Sequence, residues 1–331
     1  MLLRKLKVSK LTVLFIFILS LIFLQVLLIA PEEIGSTEAK LTKTKIEKMA
    51  QQQNSKKAIE QKMKGVHLVE NANNQKGWEL QADEATGSSD EQWILKKVRV
   101  EFFSEDLSSF VVVGQVGEVN GQTKNMIIRG EVTTTSSNGY QFVTNDLYYV
   151  AAEKKLKSLD QVKMLGPDET KGTGFELTGT GFTADIVKDT MRIENNVEAE
   201  KVIDNKNVKI KSNAAEFSNK NQEAGFFGQV VMNYDKSVLT APEAYFKYSS
   251  ILKSVEFVTL KDRVTLKEDN KSATCRLLQM NIPKNTMTLS GQPKVQMGED
   301  EIQGEEIIFL DGGKKVRMNK VTIKGQKIKD I

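Results

Sequence analysis

The pattern that decides the fold lies in two adjoining stretches, VKIKSNAAEFS (Val208–Ser218) and EAGFFGQVVMNY (Glu223–Tyr234). Apolar and polar residues alternate along both stretches, which is typical of β-strands with one buried face. Small or turn-forming residues interrupt the alternation at Asn213–Ala215 and at Gly228–Gln229. Because such residues let a strand bend, we expect each stretch to form a kinked arm that contributes one segment to each of two facing sheets.

A valine that follows a turn residue recurs along the chain at spacings of 26 to 35 residues. The recurring valines are Val98, Val132, Val162, Val197, Val230, Val264, Val295 and Val321. A sustained period of about 30 residues indicates stacked units that cannot bury their apolar faces alone. The sequence therefore predicts an all-β protein of about eight repeats, arranged as a two-sheet array of the jelly-roll type.

The same alternation predicts which side chains point inward between the two sheets. The candidate interior residues are Trp78, Leu80, Leu95, Val98, Ile128, Val132, Phe142, Val162, Phe175, Leu177, Val197, Ile210, Phe217, Val230, Met232, Phe246, Val264, Leu266, Leu289, Val295 and Val321. Further bends are expected at Ala82–Ala85, Gly130–Glu131, Asn145–Asp146, Gly179–Gly181 and Gly291–Gln292. Alternation leaves open whether this interior is a filled core or a hollow groove.

The N-terminus carries the strongest apolar run of the chain. Leu11–Ala30 contains 20 residues without a charge, which is long enough for one transmembrane helix. Acidic residues follow Pro31 directly, so an uncleaved anchor is favoured over a cleaved signal peptide. We expect residues 1–10 in the cytoplasm, a membrane helix at 11–30, a polar stalk at 31–65, and the β-rich body on the far side of the membrane.

Several classes of function are disfavoured by composition. The 47 basic and 43 acidic residues give a net charge of only +4, without a basic block, so nucleic acid is not an expected partner. One histidine, His67, and one cysteine, Cys275, exclude a disulfide framework and a multi-cysteine metal site. The sequence shows no catalytic constellation, so we expect neither an enzyme nor a cofactor.

Two parts of the body resemble known families. WELQADEA from Trp78, NMIIRGEV, YQFVTNDLYYV, GTGFELTGTGFTAD and MRIENNVEAE resemble the LptC family of lipopolysaccharide export. VKIKSNAAEFS, FFGQVVMNY, SVLTAPEAYF and FVTLKDRVTLKED are similar to the LptA/OstA family. The chain thus resembles an LptC-like domain, assigned to residues 66–205, fused to an LptA-like domain at 206–331.

The resemblance implies two tandem OstA-like, twisted open β-jelly rolls whose inward residues line a groove for lipopolysaccharide. It implies a single-pass protein of the inner membrane, with its body in the periplasm, that serves outer-membrane assembly. The implied partners are an inner-membrane ABC transporter of the LptB/LptF/LptG type and, distally, a further LptA-like or an LptD-type jelly roll. The first unit, near residues 78–100, would dock on the transporter, and the last, near 307–323, would receive the distal partner.

Two alternatives to a lipid conduit stay open from the sequence. One is an anchored structural scaffold of the cell envelope, with a filled core and no lipid ligand. The other is an enzyme such as a β-helical polysaccharide-cleaving protein, which would need clustered carboxylates on one strand face.

Overall fold

The computed structural model describes residues 61–72, 75–87, 92–104, 109–166, 175–203, 206–218, 220–249, 254–320 and 322–324. Within these ranges nearly every residue lies in a strand or a tight turn, which confirms the predicted all-β class. A helix long and apolar enough to cross a membrane does not occur in these ranges. The membrane helix predicted at 11–30 lies outside the described residues.

Twenty-one strands form one antiparallel sheet in the described part of the chain, and a turn of 3₁₀ helix at Asp311–Gly313 interrupts its last hairpin. The strands are β1 (Gln61–Ala72), β2 (Gln75–Gly87), β3 (Gln92–Phe103), β4 (Ser109–Asn120), β5 (Met126–Ser136), β6 (Gln141–Val150), β7 (Lys155–Leu165), β8 (Glu176–Asp185), β9 (Thr190–Ile203), β10 (Lys206–Ser212), β11 (Ala214–Ser218), β12 (Glu223–Tyr234), β13 (Ser237–Tyr248), β14 (Val255–Glu268), β15 (Lys271–Asn281), β16 (Thr286–Ser290), β17 (Lys294–Met297), β18 (Asp300–Gln303), β19 (Glu306–Leu310), β20 (Lys315–Asn319) and β21 (Thr322–Lys324).

Chain neighbours pair along most of the sheet. Each strand from β1 to β9 pairs antiparallel with the next one. Strand β9 then pairs with both β10 and β11, and both of these pair with β12. The ladder therefore passes the expected domain boundary at residues 205 and 206 without a break, and the division into two domains stays a prediction.

Among the described recurring valines, most stand directly after a bend of a strand. In five cases the residue before the valine has a left-handed backbone, with φ between 45° and 54°. These residues are Lys97, Glu131, Asn196, Gln229 and Arg263. The ladder skips residues at the same points, for example between Arg129 and Val132. The predicted kinks at Gly130–Glu131 and Gly228–Gln229 are therefore confirmed, although the bend itself is completed by a residue that bears a side chain. Such a backbone costs on the order of 1–3 kcal/mol, which packing around each bend must offset.

The bends fold the sheet into two layers that face each other. Layer A consists of the segments that begin with the described recurring valines, together with the segments that pair with them. Layer B consists of the segments on the other side of each bend. Phe142 in layer A pairs through Met164 with Leu177, whereas Phe182 lies beyond the bend of β8, in layer B. The rings of Phe142 and Phe182 are nevertheless only 4.7 Å apart. They meet across the interior, so the two layers pack face to face.

Charged side chains cover the outer faces, as the alternation predicts. On β10, Lys209 and Lys211 stand opposite Glu200 and Glu198 of β9, and each pair has a nitrogen-to-oxygen distance of 2.6 Å. All four side chains are more than half exposed. Such pairs add only about 0–1 kcal/mol each, so the buried face stabilises the sheet and the outer face keeps it soluble.

The free edges of the sheet differ from the sequence prediction at one end. Strand β2, which carries Trp78, pairs on one side with β1 and on the other with β3, so the unit near residues 78–100 is not an edge. Among the described strands the edge is β1, which begins at Gln61, inside the segment assigned to the stalk. Its alternation was obscured by polar residues, but its Val66 is buried in the core. At the other end of the described chain, β20 and β21 each pair with a single strand.

Candidate functional site

The candidate interior residues lie where the alternation predicts them. All of them are buried except Leu266, which is half-buried against the core, and Val321, which lies outside the described residues. The least exposed include Leu80, Leu95 and Leu177, each at 0%. The prediction that the apolar face points inward is therefore confirmed, whereas the role of these residues as a lipid groove stays a prediction.

The buried side chains form one continuous apolar cluster along the length of the sheet. It begins at Val66 in β1 and reaches Ile307 in β19. Aliphatic residues dominate it, and rings such as Phe226 and Phe246, 5.5 Å apart, fill its centre. The cluster crosses the bends and the β9–β10 hairpin without interruption, so it is one interior and not a series of separate cores.

Aromatic residues close the interior on the side away from the bends, where the hairpins of the two layers meet. The ring of Phe102, near the end of β3, lies 4.6 Å from that of Tyr149, near the end of β6. Phe217 lies 6.0 Å from Tyr140 and 5.8 Å from Phe175. We call these five residues the aromatic seam. The described ladders join strand segments within one layer, so the seam contacts between the layers are made by side chains.

Sequence reasoning missed much of layer B and part of the seam. The buried residues not foreseen include Phe102, Phe110, Leu147, Leu156, Phe182, Ile193, Phe226, Leu260 and Leu278. Most of them continue the alternation beyond a bend, where the parity changes. A count carried across each bend with the extra residue included would have found them.

Burial shifts the pKa of Tyr149 and of Cys275, which both lie in this interior. Burial raises the pKa of Tyr149 to about 12, and the negative charge of Glu70 adds to the effect. Burial also raises the pKa of Cys275 to about 11, although backbone hydrogen bonds from Leu277 and Ser290 oppose it. At neutral pH both groups are uncharged, and Cys275 is a small apolar residue of the core and not a nucleophile.

The histidine that the sequence singled out lies on an outer face. His67 Nε2 is 2.7 Å from Glu79 Oε1, and the His67 side chain is 55% exposed. Hydrogen bonds from Lys76 and His67 lower the pKa of Glu79. Across the described ranges, no group of three or more His, Cys, Asp or Glu residues is placed to hold a metal ion.

Two shallow clefts lie at the bends of the first five strands, not in the interior. One, of about 410 Å³, is lined in part by His67, Asp83 and Lys97. The other, of about 340 Å³, is lined in part by Val113 and Gly130. Both are polar or open to solvent at their rims, and neither contains the aromatic seam.

Comparison with known proteins identifies both halves of the body. A family model described as lipopolysaccharide-assembly, LptC-related, matches residues 34–202, and a model described as LptA/(LptD N-terminal domain) LPS transport protein matches residues 209–315. Among solved structures, the chain is similar to LptH, the LptA homologous periplasmic component of the conserved lipopolysaccharide transport device from Pseudomonas aeruginosa. The identity is 19% and the TM-score 0.33, over 36% of this chain and 94% of that one. No curated protein sequence matches.

The two family matches follow each other in the order that the sequence resemblance predicted. Both families belong to lipopolysaccharide transport, and neither is a family of enzymes. The first match alone covers just over half of the 331 residues. The protein is therefore a member of the LptC-related lipopolysaccharide-assembly family, with an LptA-like domain following its LptC-related part.

Proposed function

We propose that this protein is an inner-membrane-anchored bridge that receives lipopolysaccharide from an ATP-driven transporter and passes it through the periplasm towards the outer membrane. The observation that carries the proposal is the single apolar interior, which runs from β1 to β19 and so joins both family-matched regions. Burial of an acyl chain is worth about 0.8 kcal/mol per methylene, so such an interior favours acyl chains while sugars stay outside.

The packed interior requires a conformational step before lipid can enter. The side chains assigned to the groove exclude water, and the aromatic seam joins the layers at the rim. Because the rims meet through side chains only, their separation breaks ring contacts but leaves the strand ladders intact. Acyl chains would then replace side-chain contacts between Phe102 and Tyr149 and along the rest of the seam.

The edges of the sheet suit the proposed partners. Strand β1 exposes Met63, Leu68 and Val69, each about 40% exposed, and its outer backbone groups have no neighbouring strand among the described residues. An edge strand with exposed apolar side chains is suited to β-augmentation by another sheet. We assign β1 to an LptF/LptG-type transporter subunit and the β20/β21 end to an LptA-like or LptD-type jelly roll.

Photo-crosslinking tests the conduit. A photoreactive residue would replace Phe142, Leu177, Met232 or Leu278, all inward, with outward Val143 as the control next to Phe142. The full-length protein would be incubated with lipopolysaccharide-loaded vesicles that contain the transporter and ATP. We expect lipid adducts at the inward positions, first at Phe142 and Leu177 and later at Met232 and Leu278. Equal labelling of Val143, or no adducts at inward positions, would disprove the conduit.

A deletion tests the direction. Removal of residues 307–331 takes away β19, β20 and β21, which cover the distal end. Capture of the distal jelly roll should be lost while binding to the transporter is retained. Loss of both contacts, or retention of both, would contradict the assigned polarity.

A structural scaffold without a lipid ligand is the second candidate. The near-zero exposure of interior residues such as Leu80 and Leu278 favours it, because a filled core needs no ligand. The crosslinking experiment separates the two candidates, since a scaffold gives no lipid adducts at any inward position.

A further inference from the structure

Two polar groups inside the first part of the interior have no hydrogen-bond partner. They are the indole Nε1 of Trp78 and the hydroxyl Oγ1 of Thr134. Trp78 is 4% exposed and Thr134 is 1% exposed. Burial of such a group without a partner is unfavourable, so a folded protein seldom keeps one unless something else binds there.

The register places both groups on the inner face of layer A. Trp78 stands opposite Phe102, and Thr134 stands opposite Val112 and Phe142. Strands β2 and β5 are three positions apart in the sheet, so about 14 Å of strand spacing separates the backbones that carry the two groups. They are therefore two contact points along an extended ligand and not one small site.

Three other inward hydroxyls nearby, those of Ser136, Thr144 and Ser158, have partners. Thr144 Oγ1 and Ser158 Oγ form a hydrogen bond of 2.8 Å at the bend of β6 and β7. The Ser136 hydroxyl donates to Asn138 Oδ1 and also accepts from the backbone N–H of Tyr140. The carboxylate of Glu70 stands opposite Trp78, yet the indole N–H makes no bond with it. One further buried atom among the described residues lacks a partner, Arg129 Nε, but its side chain is 38% exposed and its guanidinium pairs with Glu118, so it does not belong to the interior.

We infer that Trp78 and Thr134 bind the polar linkages of an acylated lipid, and this inference rests on the proposed conduit. An indole N–H can only donate, so its partner must be an acceptor. Within an apolar interior, the acceptor that accompanies a hydrocarbon chain is the carbonyl oxygen of an ester or amide. The Thr134 hydroxyl both donates and accepts, so it takes either a second carbonyl or a hydroxyl on the chain. The interior thereby distinguishes acylated lipids from plain hydrocarbon.

The position of Trp78 suits the first contact of an incoming lipid. It lies in β2, next to the edge strand β1 that we assign to the transporter. Thr134 lies three strands further along the proposed path. A lipid whose carbonyl binds at Trp78 would extend its chain over Phe102 and Phe110, which are both buried on the same face.

The chain offers a direct probe, because it contains only two tryptophans, Trp78 and Trp93. Full-length protein with ¹⁵N-labelled indoles would be titrated with purified lipopolysaccharide, and W78F assigns the two indole signals. We expect the Trp78 proton to shift downfield on lipid addition while the Trp93 signal moves little. The inference is overturned if the Trp78 signal does not respond to lipid but shifts in Glu70→Gln without lipid. That result would identify the Glu70 carboxylate as the partner of the indole.

Binding measurements complete the test. W78F and T134V should each bind lipopolysaccharide about threefold to tenfold more weakly, whereas the control W93F should bind like the natural protein. Lipid capture by a crosslinker at Leu177 distinguishes failure of the conduit from failure of the inference about Trp78 and Thr134. Capture at Leu177 with unchanged affinity in W78F and T134V refutes the inference and leaves the conduit standing. Loss of capture in the natural protein refutes both. The indole titration is carried out on the natural protein, and W78F is needed only to assign the signals.

Discussion

The same substitution at two neighbouring inward threonines should change stability in opposite directions. Thr134 and Thr144 lie on the paired strands β5 and β6, and both are buried. The Thr134 hydroxyl has no partner, whereas the Thr144 hydroxyl bonds with Ser158 at 2.8 Å. Valine has nearly the shape of threonine but carries a methyl group in place of the hydroxyl, so the two variants differ chiefly in the hydrogen bond that is lost.

The magnitudes follow from the state of each hydroxyl. T134V removes a buried polar group that has no compensation, so the free energy of unfolding should rise by about 1–2 kcal/mol. T144V breaks a buried hydrogen bond and leaves the 2% exposed Ser158 hydroxyl with only the backbone N–H of Asp160 as a partner, so the free energy of unfolding should fall by about 1–3 kcal/mol. With a urea m-value of about 3 kcal/mol/M, the two midpoints should differ by about 1 M.

Urea denaturation of the full chain in detergent, followed by tryptophan fluorescence and far-UV circular dichroism, measures both midpoints. The natural protein should lie between the two variants, with equal m-values throughout. If T134V lowers the midpoint as much as T144V does, the Thr134 hydroxyl has a partner in the free protein. That result would refute the premise of the lipid-linkage inference, that the buried Thr134 hydroxyl lacks a hydrogen-bond partner within the protein.

Three further changes test the interior. Val230→Glu places an unpaired carboxylate at a 1% exposed position, so it should cost several kcal/mol and block lipid passage in a transport assay, whereas the outward Val231→Glu should do neither. Gly179→Ala puts a Cβ 2.4 Å from a side-chain carbon of β9 and should lower stability by about 1–3 kcal/mol; Gly77→Ala, where the nearest atom is 3.6 Å away, should be neutral in the same urea assay. In the folded protein the pKa of Tyr149 is raised from 10.0 to about 12, so its contribution to the free energy of unfolding is complete below pH 10 and is lost as the pH rises to 12. Tyr149→Phe should therefore reduce the loss of stability between pH 10 and about 12, measured by urea denaturation at a series of pH values.

The residues near each bend show how much of the fold is written locally. Alternation with a period of two settled that the chain is all-β, because only a strand places every second residue on one face. The recurring valine marked the bends, since the first inward position after a bend accepts a small branched side chain in every described repeat. Lys97 and Arg263 show the limit of that reasoning: no bend was predicted at either residue, yet the left-handed turn is made there by a long charged residue that is exposed to solvent.

The amino-acid sequence alone determined the order of the strands along the chain, their inward faces and the family, because each depends on residues close together in the chain. Only the tertiary structure decided that Phe102 meets Tyr149 and that Phe217 meets Phe175, since these contacts join layers whose relative twist no local pattern records. It also made β1 the edge and left Trp78 Nε1 without a partner. The physical reason is that a strand's face follows from its own alternation, whereas its neighbours across the interior depend on the bend angles and twist summed over many strands.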